Sequence, residues 1–410
     1  MENKKQDRPR PLDGIRIVEY GIFHAGPGGS AILGDMGADV VKIEAGAGDP
    51  ERHWLRAGET DMSLPNGESI YFELSNRNKK GIWLDIDTDE GRDILHRLVK
   101  GADVFLTNLR STTKPRMGLD YASLSQVNPK IIHANVSGYG PEGPMNDLGA
   151  FDPLGQAYAG MMYVTGTQDP ALLSIGLLDQ ATSIAISHAI LSALVFRDRH
   201  GVGQEVHVSL YGTALWLMVG NLMVNNVLAI EPIGPGGGDR SKHSPLRNRF
   251  RCQDGEWIMG TNHPEPKYWP ILCEATGLSG LIDDPRFADQ AGRKTNSAEL
   301  VAIFDKVFAE KPRDEWMEIF LGRGLMFSSV KHTSEIKDDP QALANGYMAE
   351  FDFPDVGPVM VPGYPVHFSH CRTNAWGAAP RIGEHTDTVM GDIGYTGEEI
   401  RRLKDKGVIK

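Results

Sequence analysis

The segment between residues 14 and 44 reads as a strand, a helix and a second strand, and this alternation limits the fold more than any other feature of the chain. "GIRIVEY" (14–20) and "ADVVKIE" (38–44) are apolar enough for buried strands, and "GPGGSAILGDMG" (26–37) is predicted to be a glycine-rich turn that opens a helix. Two strands joined by a crossover helix form a βαβ unit. The segment therefore predicts a parallel sheet with helices on its faces.

Further strands follow at the same rhythm in "ADVFLTNL" (102–109), "KIIHANVSGYG" (130–140) and "QEVHVSL" (204–210). A long apolar helix is predicted to start near Asp179 and to end before Gly201, because basic residues followed by glycine are typical of a helix C-terminus. The predicted fold class is α/β, with a Rossmann-like parallel sheet in a large domain and a smaller α+β domain.

A change in composition after the last of these strands indicates a second domain. "EPIGPGGGDRSKHSP" (231–245) has the composition of a loop, and "FRCQDGEWIMG" (250–260) is predicted to form a hairpin. A chain of 410 residues also exceeds the size of one ordinary hydrophobic core. The predicted segments are the first part of the large domain (1–224), the small α+β domain (225–330) and a return segment that packs on the large domain (331–410).

The charge and hydropathy of the chain exclude several classes of partner. The formal net charge is −12, whereas a nucleic-acid-binding protein needs a basic face to neutralise phosphates. The sequence contains no run of eighteen apolar residues, and the start "MENKKQDRPRPLDG" lacks the apolar part of a signal peptide. We therefore expect a cytoplasmic protein with neither a nucleic-acid nor a membrane partner.

Three common kinds of site lack their motifs. The glycine-rich turn does not have the GxGxxG spacing that brings a dinucleotide pyrophosphate to a helix N-terminus, and no GxSxG nucleophile elbow occurs. The three cysteines form no CxxC pair, and His367 and His370 have no second cluster of ligands nearby in the sequence. The sequence therefore predicts no metal site.

Asp179 remains as a candidate, because it stands alone at the mouth of the apolar stretch "GLLDQATSIAISHAILSAL" (176–194). Its carboxylate could cap the helix by accepting hydrogen bonds from the first-turn N–H groups. It could equally be a covalent nucleophile that attacks an acyl thioester and forms a mixed anhydride. Residue type and position do not separate the two interpretations.

Several segments, in their order and spacing, resemble the class III CoA-transferase family, which includes formyl-CoA transferase, carnitine CoA-transferase and the related α-methylacyl-CoA racemase. The resemblance extends from "PLDGIRIVEYG" to "GEHTDTVM". The segments that carry it are "AGPGGSAILGDMGADVVKIEAGAGDPER", "YFELSNRNKKGIWLDI", "ADVFLTNLRSTTKPRMGLDYASLSQVNPKIIHANVSGYG", "LLDQATSIAISHAILSALVFRDRHGVGQEVHVSLY" and "FRCQDGEW".

The resemblance implies an enzyme in which Asp179 is the catalytic nucleophile. The family's catalytic aspartate begins the helix that precedes an "R…GxGQ" turn, and Asp179 holds that position here. The implied reaction moves CoA from an acyl-CoA donor to a carboxylic acid acceptor through mixed anhydrides and an aspartyl-CoA thioester. Coenzyme A thioester is then a substrate, and no permanently bound cofactor is expected.

The resemblance also assigns supporting and CoA-binding residues. Active-site support is expected from His24, from Asp152 and from a glycine-rich loop at Gly236, Gly237 and Gly238. Arg116 is expected to meet a phosphate, because a guanidinium pairs bidentately with phosphate oxygens. The full set of expected CoA contacts is His24, Ala25, Leu84, Asn108, Leu109, Thr113 and Arg116.

Some positions depart from the family pattern. Ala45 and Asp87 stand where formyl-CoA transferase has basic residues, which leaves the contacts to the CoA 3′-phosphate open, with Lys79 and Lys80 as candidates. His24 replaces a glutamine of formyl-CoA transferase, which implies a different donor or acceptor acid.

Alternatives and partners complete the prediction. An α-methylacyl-CoA racemase needs a histidine where Phe151 stands, and phenylalanine cannot shuttle a proton, so a transferase is favoured. A non-catalytic subunit that binds CoA thioesters is the alternative of another class.

The apolar segment 214–226 is either core packing or a pocket lining, and a lining would suit a bulky or aromatic dicarboxylate as acceptor, with succinyl-CoA as donor. The resemblance implies an interlocked homodimer, with a heterodimer with a related subunit as the alternative.

Overall fold

The structure is a computed structural model that describes residues 8–164, 169–230 and 239–410. The chain divides into two compact units. The first unit holds a six-stranded sheet, and the second holds a three-stranded sheet with its own aromatic core.

The unit boundaries lie later in the chain than the composition indicated. The predicted boundary at 225 falls inside the helix Val219–Leu228, and the chain returns to the first unit from 341 rather than from 331. The backbone hydrogen bonds of a helix continue through a change in composition, so the helix stays within one unit. The unit boundary therefore follows the end of the helix. The first unit comprises Met1–Met162, Leu172–Ile230 and Gln341–Lys410, and the second comprises Tyr163–Ala171 and Glu231–Pro340.

The large sheet of the first unit is parallel throughout, in the order β5-β2-β1-β6-β7-β8. Its central strands are nearly continuous apolar runs because helices cover the sheet, and Ile17 and Val18 have no exposed surface. The strands predicted at five apolar segments of this unit are confirmed as β1 (Arg16–Tyr20), β2 (Asp39–Glu44), β6 (Val104–Thr107), β7 (Ile132–Ser137) and β8 (Gln204–Ser209). The sixth strand, β5 (Lys80–Trp83), was not predicted.

Two two-stranded ribbons also belong to the first unit, and the helices complete it. The ribbons are β3 (Arg56–Ala57) with β4 (Thr60–Asp61), and β12 (Met348–Phe353) with β13 (Gly357–Pro362). The helices are α1 (Ala25–Asp35), α2 (Ile70–Asn76), α3 (Asp89–Lys100), α4 (Thr113–Met117), α5 (Tyr121–Val127), α6 (Asp152–Tyr158), α7 (Leu177–His200), α8 (Leu210–Leu217), α9 (Val219–Leu228), α15 (Thr386–Asp392) and α16 (Gly397–Asp405).

Helices α1 and α7 pack closely, and this packing sets the geometry of the candidate site. The helix predicted within 26–37 is present, but the glycine-rich turn predicted to open it is wrong, because Gly26, Gly28 and Gly29 already lie within α1. A Cβ on Gly28 would collide with Oγ of Ser183, and a Cβ on Gly29 would collide with Cγ2 of Ile186. The missing side chains therefore let the two helix axes approach each other and bring their N-termini together.

Helix α7 is long and apolar enough to cross a membrane, judged by length and composition alone. Its Ile186 and Ile190 are fully buried, and the helix packs against α1 and against strands β7 and β8. That packing is typical of a core helix of a parallel α/β sheet.

The second unit contains the predicted hairpin. β9 (Arg249–Arg251) and β10 (Trp257–Gly260) pair antiparallel, and Gly255 between them has a φ of +87°, which favours glycine. Stacked aromatic rings fill the core, with Phe250 on Phe308 and Trp316 on Phe320. The remaining elements are β11 (Phe327–Val330), α10 (Glu265–Ala275), α11 (Gln290–Thr295), α12 (Ser297–Phe308), α13 (Arg313–Gly322) and α14 (Pro340–Ala344), the last crossing the boundary.

Candidate active site

The start of α7 is capped by a side chain from another helix and not by Asp179. The N-cap position is Gly176, with a left-handed φ of +77°. The Asp152 carboxylate accepts hydrogen bonds from the backbone N–H groups of Leu178, at 2.6 Å, and of Asp179, at 3.1 Å. Gln156 donates to the other Asp152 oxygen at 2.7 Å. The interpretation of Asp179 as a helix cap is therefore wrong, because Asp152 does that work.

The Asp179 side chain is half-buried, and no residue in the described ranges donates a hydrogen bond to its carboxylate. Burial raises the pKa of Asp179 to about 6. The neighbouring His24 opposes this shift, whereas the Asp152 and Glu51 carboxylates add to it. The arrangement holds an acid that ionises near pH 6, with its oxygens not engaged by any donor among the described residues.

His24 lies at the N-terminus of α1, where it meets the start of α7. Its Nε2 is 3.1 Å from Oε1 of Gln180, and its Nδ1 is 3.7 Å from Oε1 of Glu51. Burial disfavours the imidazolium, but the Glu51 carboxylate outweighs burial and holds the pKa of His24 above its usual value, with smaller contributions from Gln180 and Asp179. A cationic His24 in turn favours the ionised form of Asp179.

Tyr71 forms a third side of the site. Its ring lies edge-on to His24, with centroids 6.0 Å apart, and 4.6 Å from the ring of Trp54. Its hydroxyl donates to the carbonyl of Ile175 at 3.3 Å, next to the glycine that caps α7. Burial raises the pKa of Tyr71, and the charges of Asp152, Asp179 and Glu51 raise it further, so the phenol stays protonated at neutral pH.

A buried network of charged side chains holds the loop that carries His24. Lys42 donates to Glu19 at 3.0 Å and to Asp49 at 2.9 Å, and Asp49 accepts from the backbone N–H groups of Phe23 and Glu51, each at 3.0 Å. Phe23 has a φ of 57°, which is uncommon for a residue with a side chain. The network therefore fixes a strained turn immediately before His24.

A comparison with known protein families places the chain in one of them. The model described as "CoA-transferase family III" matches residues 12–386. The chain belongs to CoA-transferase family III. Members of this family are enzymes that use CoA thioesters as substrates, so the active site must accommodate an acyl-CoA and a carboxylic acid.

Relatives with similar sequences cover almost the whole chain of this CoA-transferase. The "Acyl-CoA transferase" of Fusarium pseudograminearum (strain CS3096) is 36% identical over 97% of this chain and 88% of its own length. The "Succinyl-CoA:glutarate CoA-transferase" of Mus musculus is 30% identical over 98% of this chain and 91% of its own length. A solved structure of a CAIB/BAIF family protein from Brucella suis has a TM-score of 0.82 and 27% identity, and the match covers 94% of this chain and all of that one.

A small cavity of about 100 Å³ lies at the carboxyl ends of β1, β2 and β6 in this CoA-transferase. The strand order reverses at β1, and ligands of open α/β sheets bind in the crevice at such a switch point. Leu109 and Ala45 line the cavity, so two positions singled out in the sequence lie at it. Asn108 borders it through Ile22, whose backbone it pairs with at both the N–H (3.0 Å) and the carbonyl (2.6 Å).

The structure does not bring all the predicted CoA-binding residues to this cavity. Leu84 is wrong as a contact, because its side chain has no exposed surface and packs in the main core of the sheet. Lys79 is also wrong as a phosphate ligand, since its buried ammonium already donates to Glu19, Asn76 and the Pro27 carbonyl. Hydrophobic packing and charge pairing fix these two side chains inside the fold.

The other predicted residues lie at the surface or are buried between packed helices. Thr113 begins α4, and Arg116 on the same helix is exposed, with no ion-pair partner in the part of the chain that the structure describes. Ala25 is buried, and its carbonyl accepts from Ser183 Oγ at 3.0 Å. The expected glycine loop at Gly236, Gly237 and Gly238 lies outside the described residues.

Sequence reasoning missed Glu51, Tyr71 and Gln180. A local signal exists for Gln180, which follows Asp179 directly on the helix. For Glu51 the only signal is the turn "DPERH", in which Asp49 caps the turn Pro50–His53. No sequence pattern shows that Glu51 faces His24, because that contact depends on the packing of the chain after β2.

Phe151 occupies the position where a racemase of this superfamily would carry its histidine. Its ring packs edge-on against Phe23, with centroids 5.1 Å apart, directly before Asp152. A phenyl ring offers no group that exchanges a proton with a substrate carbon. The geometry therefore agrees with transfer of CoA and not with epimerisation.

Proposed function

We propose that this enzyme transfers CoA between carboxylic acids by covalent catalysis at Asp179. The observation that carries the proposal is the Asp179 carboxylate itself, half-buried at a helix start and not engaged by any donor in the described residues. The neighbouring Asp152 carboxylate, by contrast, accepts three hydrogen bonds from the protein. An acid kept without partners near its pKa has the properties of a nucleophile.

The proposed reaction balances in four steps. Asp179 attacks the donor thioester carbonyl and expels CoA thiolate, which leaves a mixed anhydride. The thiolate attacks the Asp179 carbonyl of the anhydride, releases the donor acid and forms an aspartyl-CoA thioester. The acceptor carboxylate then attacks this thioester, expels CoA thiolate and forms a second anhydride. Thiolate attack on the acceptor carbonyl gives the new acyl-CoA and restores the Asp179 carboxylate.

Neighbouring groups support these steps without bonding to the nucleophile. A cationic His24 stabilises the ionised carboxylate before attack, because opposite charges nearby favour ionisation. The first N–H groups of α7 are occupied by Asp152, so the proposal does not use them to hold an oxyanion. The Tyr71 hydroxyl donates its one proton to the Ile175 carbonyl, so the proposal assigns Tyr71 to the wall of the site and not to a substrate hydrogen bond.

We propose succinyl-CoA as the donor and a bulky or aromatic dicarboxylate as the acceptor. The mouse relative whose name includes succinyl-CoA and glutarate supports this choice of donor class. Placement of the enzyme in the cytoplasm and the expectation of no permanently bound cofactor stay predictions.

We also propose that the enzyme works as a homodimer. Helix α9 has no buried residue, and core packing of one chain accounts for only part of segment 214–226, where Ala214 and Met218 are buried. The exposed apolar residues of the segment are Trp216, Leu217, Val219, Met223 and Val224. Trp216 is 77% exposed and Val227 is 70% exposed. An apolar face of this kind is typical of an obligate subunit interface, with a related subunit as the alternative partner.

A trapping experiment tests the nucleophile. The protein is incubated with succinyl-CoA and other acyl-CoAs, treated with hydroxylamine or borohydride, and digested for mass spectrometry. Modification at Asp179 that disappears in Asp179→Asn is expected, with the exposed Asp169→Asn as a matched control that keeps the adduct. Binding of acyl-CoA without any adduct would instead favour the non-catalytic subunit.

A further inference from the structure

The second unit contains a cavity lined by basic side chains, although the whole chain is acidic. The cavity has a volume of about 230 Å³. Four basic side chains and one acidic side chain contribute to its wall, in a chain of net charge −12. Its lining residues are Lys242, His243, Ser244, Arg247, Glu265, Gln290, Arg293 and Lys294.

One of the basic residues is already compensated and acts as part of the frame. Arg293 is 2% exposed and donates to Glu265 at 3.2 Å and to the carbonyl of Phe287 at 2.9 Å. Its guanidinium also lies over the ring of Trp269, 5.0 Å from the centroid. The Arg293–Glu265 pair neutralises itself, and it ties α11 to the first residue of α10.

The other three cations are not compensated. Lys242, Arg247 and Lys294 are exposed and form no ion pair within the described ranges of the chain. One guanidinium nitrogen of Arg247 lies 2.6 Å from Nδ1 of His263, which leaves the other N–H groups of Arg247 for a ligand. Three cations without an ion-pair partner in the described residues line one concave space, and this arrangement favours an anion as the ligand.

The segments that carry these cations are held in place. Arg240, two residues before Lys242, pairs with both oxygens of Asp305, at 2.8 and 2.5 Å. Asn248, next to Arg247, donates to the Arg240 carbonyl at 2.9 Å. The cations therefore converge on one space from fixed positions, which lowers the entropic cost of binding a ligand.

From this cluster we propose that the second unit has a binding site for a compact oxyanion, a phosphate group or a small polycarboxylate, formed by Lys242, Arg247 and Lys294. The guanidinium of Arg247 provides planar donors that match two oxygens of a carboxylate or phosphate, and the two ammonium groups provide point charges. This site is separate from Asp179 and goes beyond the proposed transfer of CoA.

Calorimetric titration of the full-length Asp179→Asn variant tests the site without catalytic turnover. Inorganic phosphate and citrate are titrated separately at low ionic strength, which distinguishes the phosphate source from the polycarboxylate source. Saturable binding of at least one of the two anions is expected. Lys242→Gln combined with Lys294→Gln, and separately Arg247→Gln, should each weaken binding about tenfold or more, as expected for loss of a charge-assisted hydrogen bond.

Lys306→Gln is the matched control, because Lys306 is an exposed lysine of the same unit that does not line the cavity. It should leave affinity within about twofold, as expected for a distant, screened charge. The proposal is overturned if neither anion binds saturably, or if Lys306→Gln weakens binding as much as the cavity variants. Thermal unfolding of each variant shows that the fold is intact. Loss of the Asp179 adduct in the trapping experiment would leave this result unchanged.

Discussion

Two sets of carboxylates in the first unit differ in how their charge is compensated. Glu19 is fully buried between Lys42 and Lys79, whose charges outweigh burial and lower its pKa to about 2. Asp179 is less buried, yet its pKa is raised to about 6, with Asp152 and Glu51 close by. Burial alone therefore does not decide the charge of an acid, and the nearby partners do.

This difference separates the acids that stabilise the fold from the acid that is free to react. Each charged side chain of the Glu19 network makes hydrogen bonds to its partners, so removal of one partner leaves a buried charge without compensation. The Asp179 carboxylate makes no hydrogen bond to any described residue, so its removal should not destabilise the fold. The predictions below separate these roles, beginning with the largest effect.

Replacement of the unpaired acid should abolish transfer and leave stability intact. Asp179→Asn keeps the size of the side chain but cannot form an anhydride, so kcat should fall by about 10³-fold or more. The folded state binds the proton of Asp179 more tightly than the unfolded chain, so the ionised acid destabilises the fold above about pH 6.

Unfolding by urea at pH 7 should accordingly show Asp179→Asn equal to the wild type or more stable, by on the order of 1 kcal/mol. Retained kcat in this variant would contradict the role of Asp179. A loss of stability would instead show that Asp179 belongs with the structural acids.

Removal of a cation from the Glu19 network should lower the stability of the fold, in contrast to Asp179→Asn. Lys42→Met leaves Glu19 and Asp49 without their shared donor, and we expect a loss of about 3–5 kcal/mol in the free energy of unfolding. Lys80→Gln is the control, because its pair with Asp39 is about one-third exposed and should contribute less than about 1 kcal/mol. Urea unfolding measures both. Equal effects would show that burial does not distinguish the two pairs.

The cap residue should affect both stability and the reactive acid. Asp152→Ala removes the acceptor of two first-turn N–H groups, which should cost about 1–2 kcal/mol. It also removes a negative charge that raises the pKa of Asp179, so the acid limb of the pH–rate profile should move to lower pH. Asp120→Ala removes the cap of α5 and should leave that limb in place. A matching shift in both variants would refute the electrostatic coupling.

The smallest expected effect is on the pH dependence of wild-type turnover. Transfer needs ionised Asp179, so kcat should fall about tenfold per pH unit below about pH 6. His24→Gln removes a positive charge that lowers the pKa of Asp179, so the acid limb should move upward by up to about one pH unit. Steady-state rates from pH 4.5 to 8 measure the shift. An unchanged or lower midpoint would show that His24 is not cationic in the working enzyme.

Much of the architecture followed from local sequence patterns. Apolar strands at a regular spacing predicted the parallel sheet, because a sheet covered by helices needs strands buried on both faces. The residue pair Asp254 and Gly255 predicted the hairpin from the local sequence as well, because Asp-Gly is typical of a hairpin turn. The glycines of 26–37 led to the wrong prediction of a turn, because glycine suits both a turn and a close contact between helices. Only the packing of Gly28 against Ser183 in the folded chain shows that the second case applies.

The sequence by itself determined the family, the parallel sheet and the choice of Asp179 as the candidate, because these depend on residue types in a fixed order. The tertiary structure alone decided which acid caps α7 and which stays without a partner. It placed Asp152, Glu51 and His24 around Asp179 from three separate elements, and it buried Leu84. Charge coupling and burial depend on distances in space, and residues far apart in the chain set those distances.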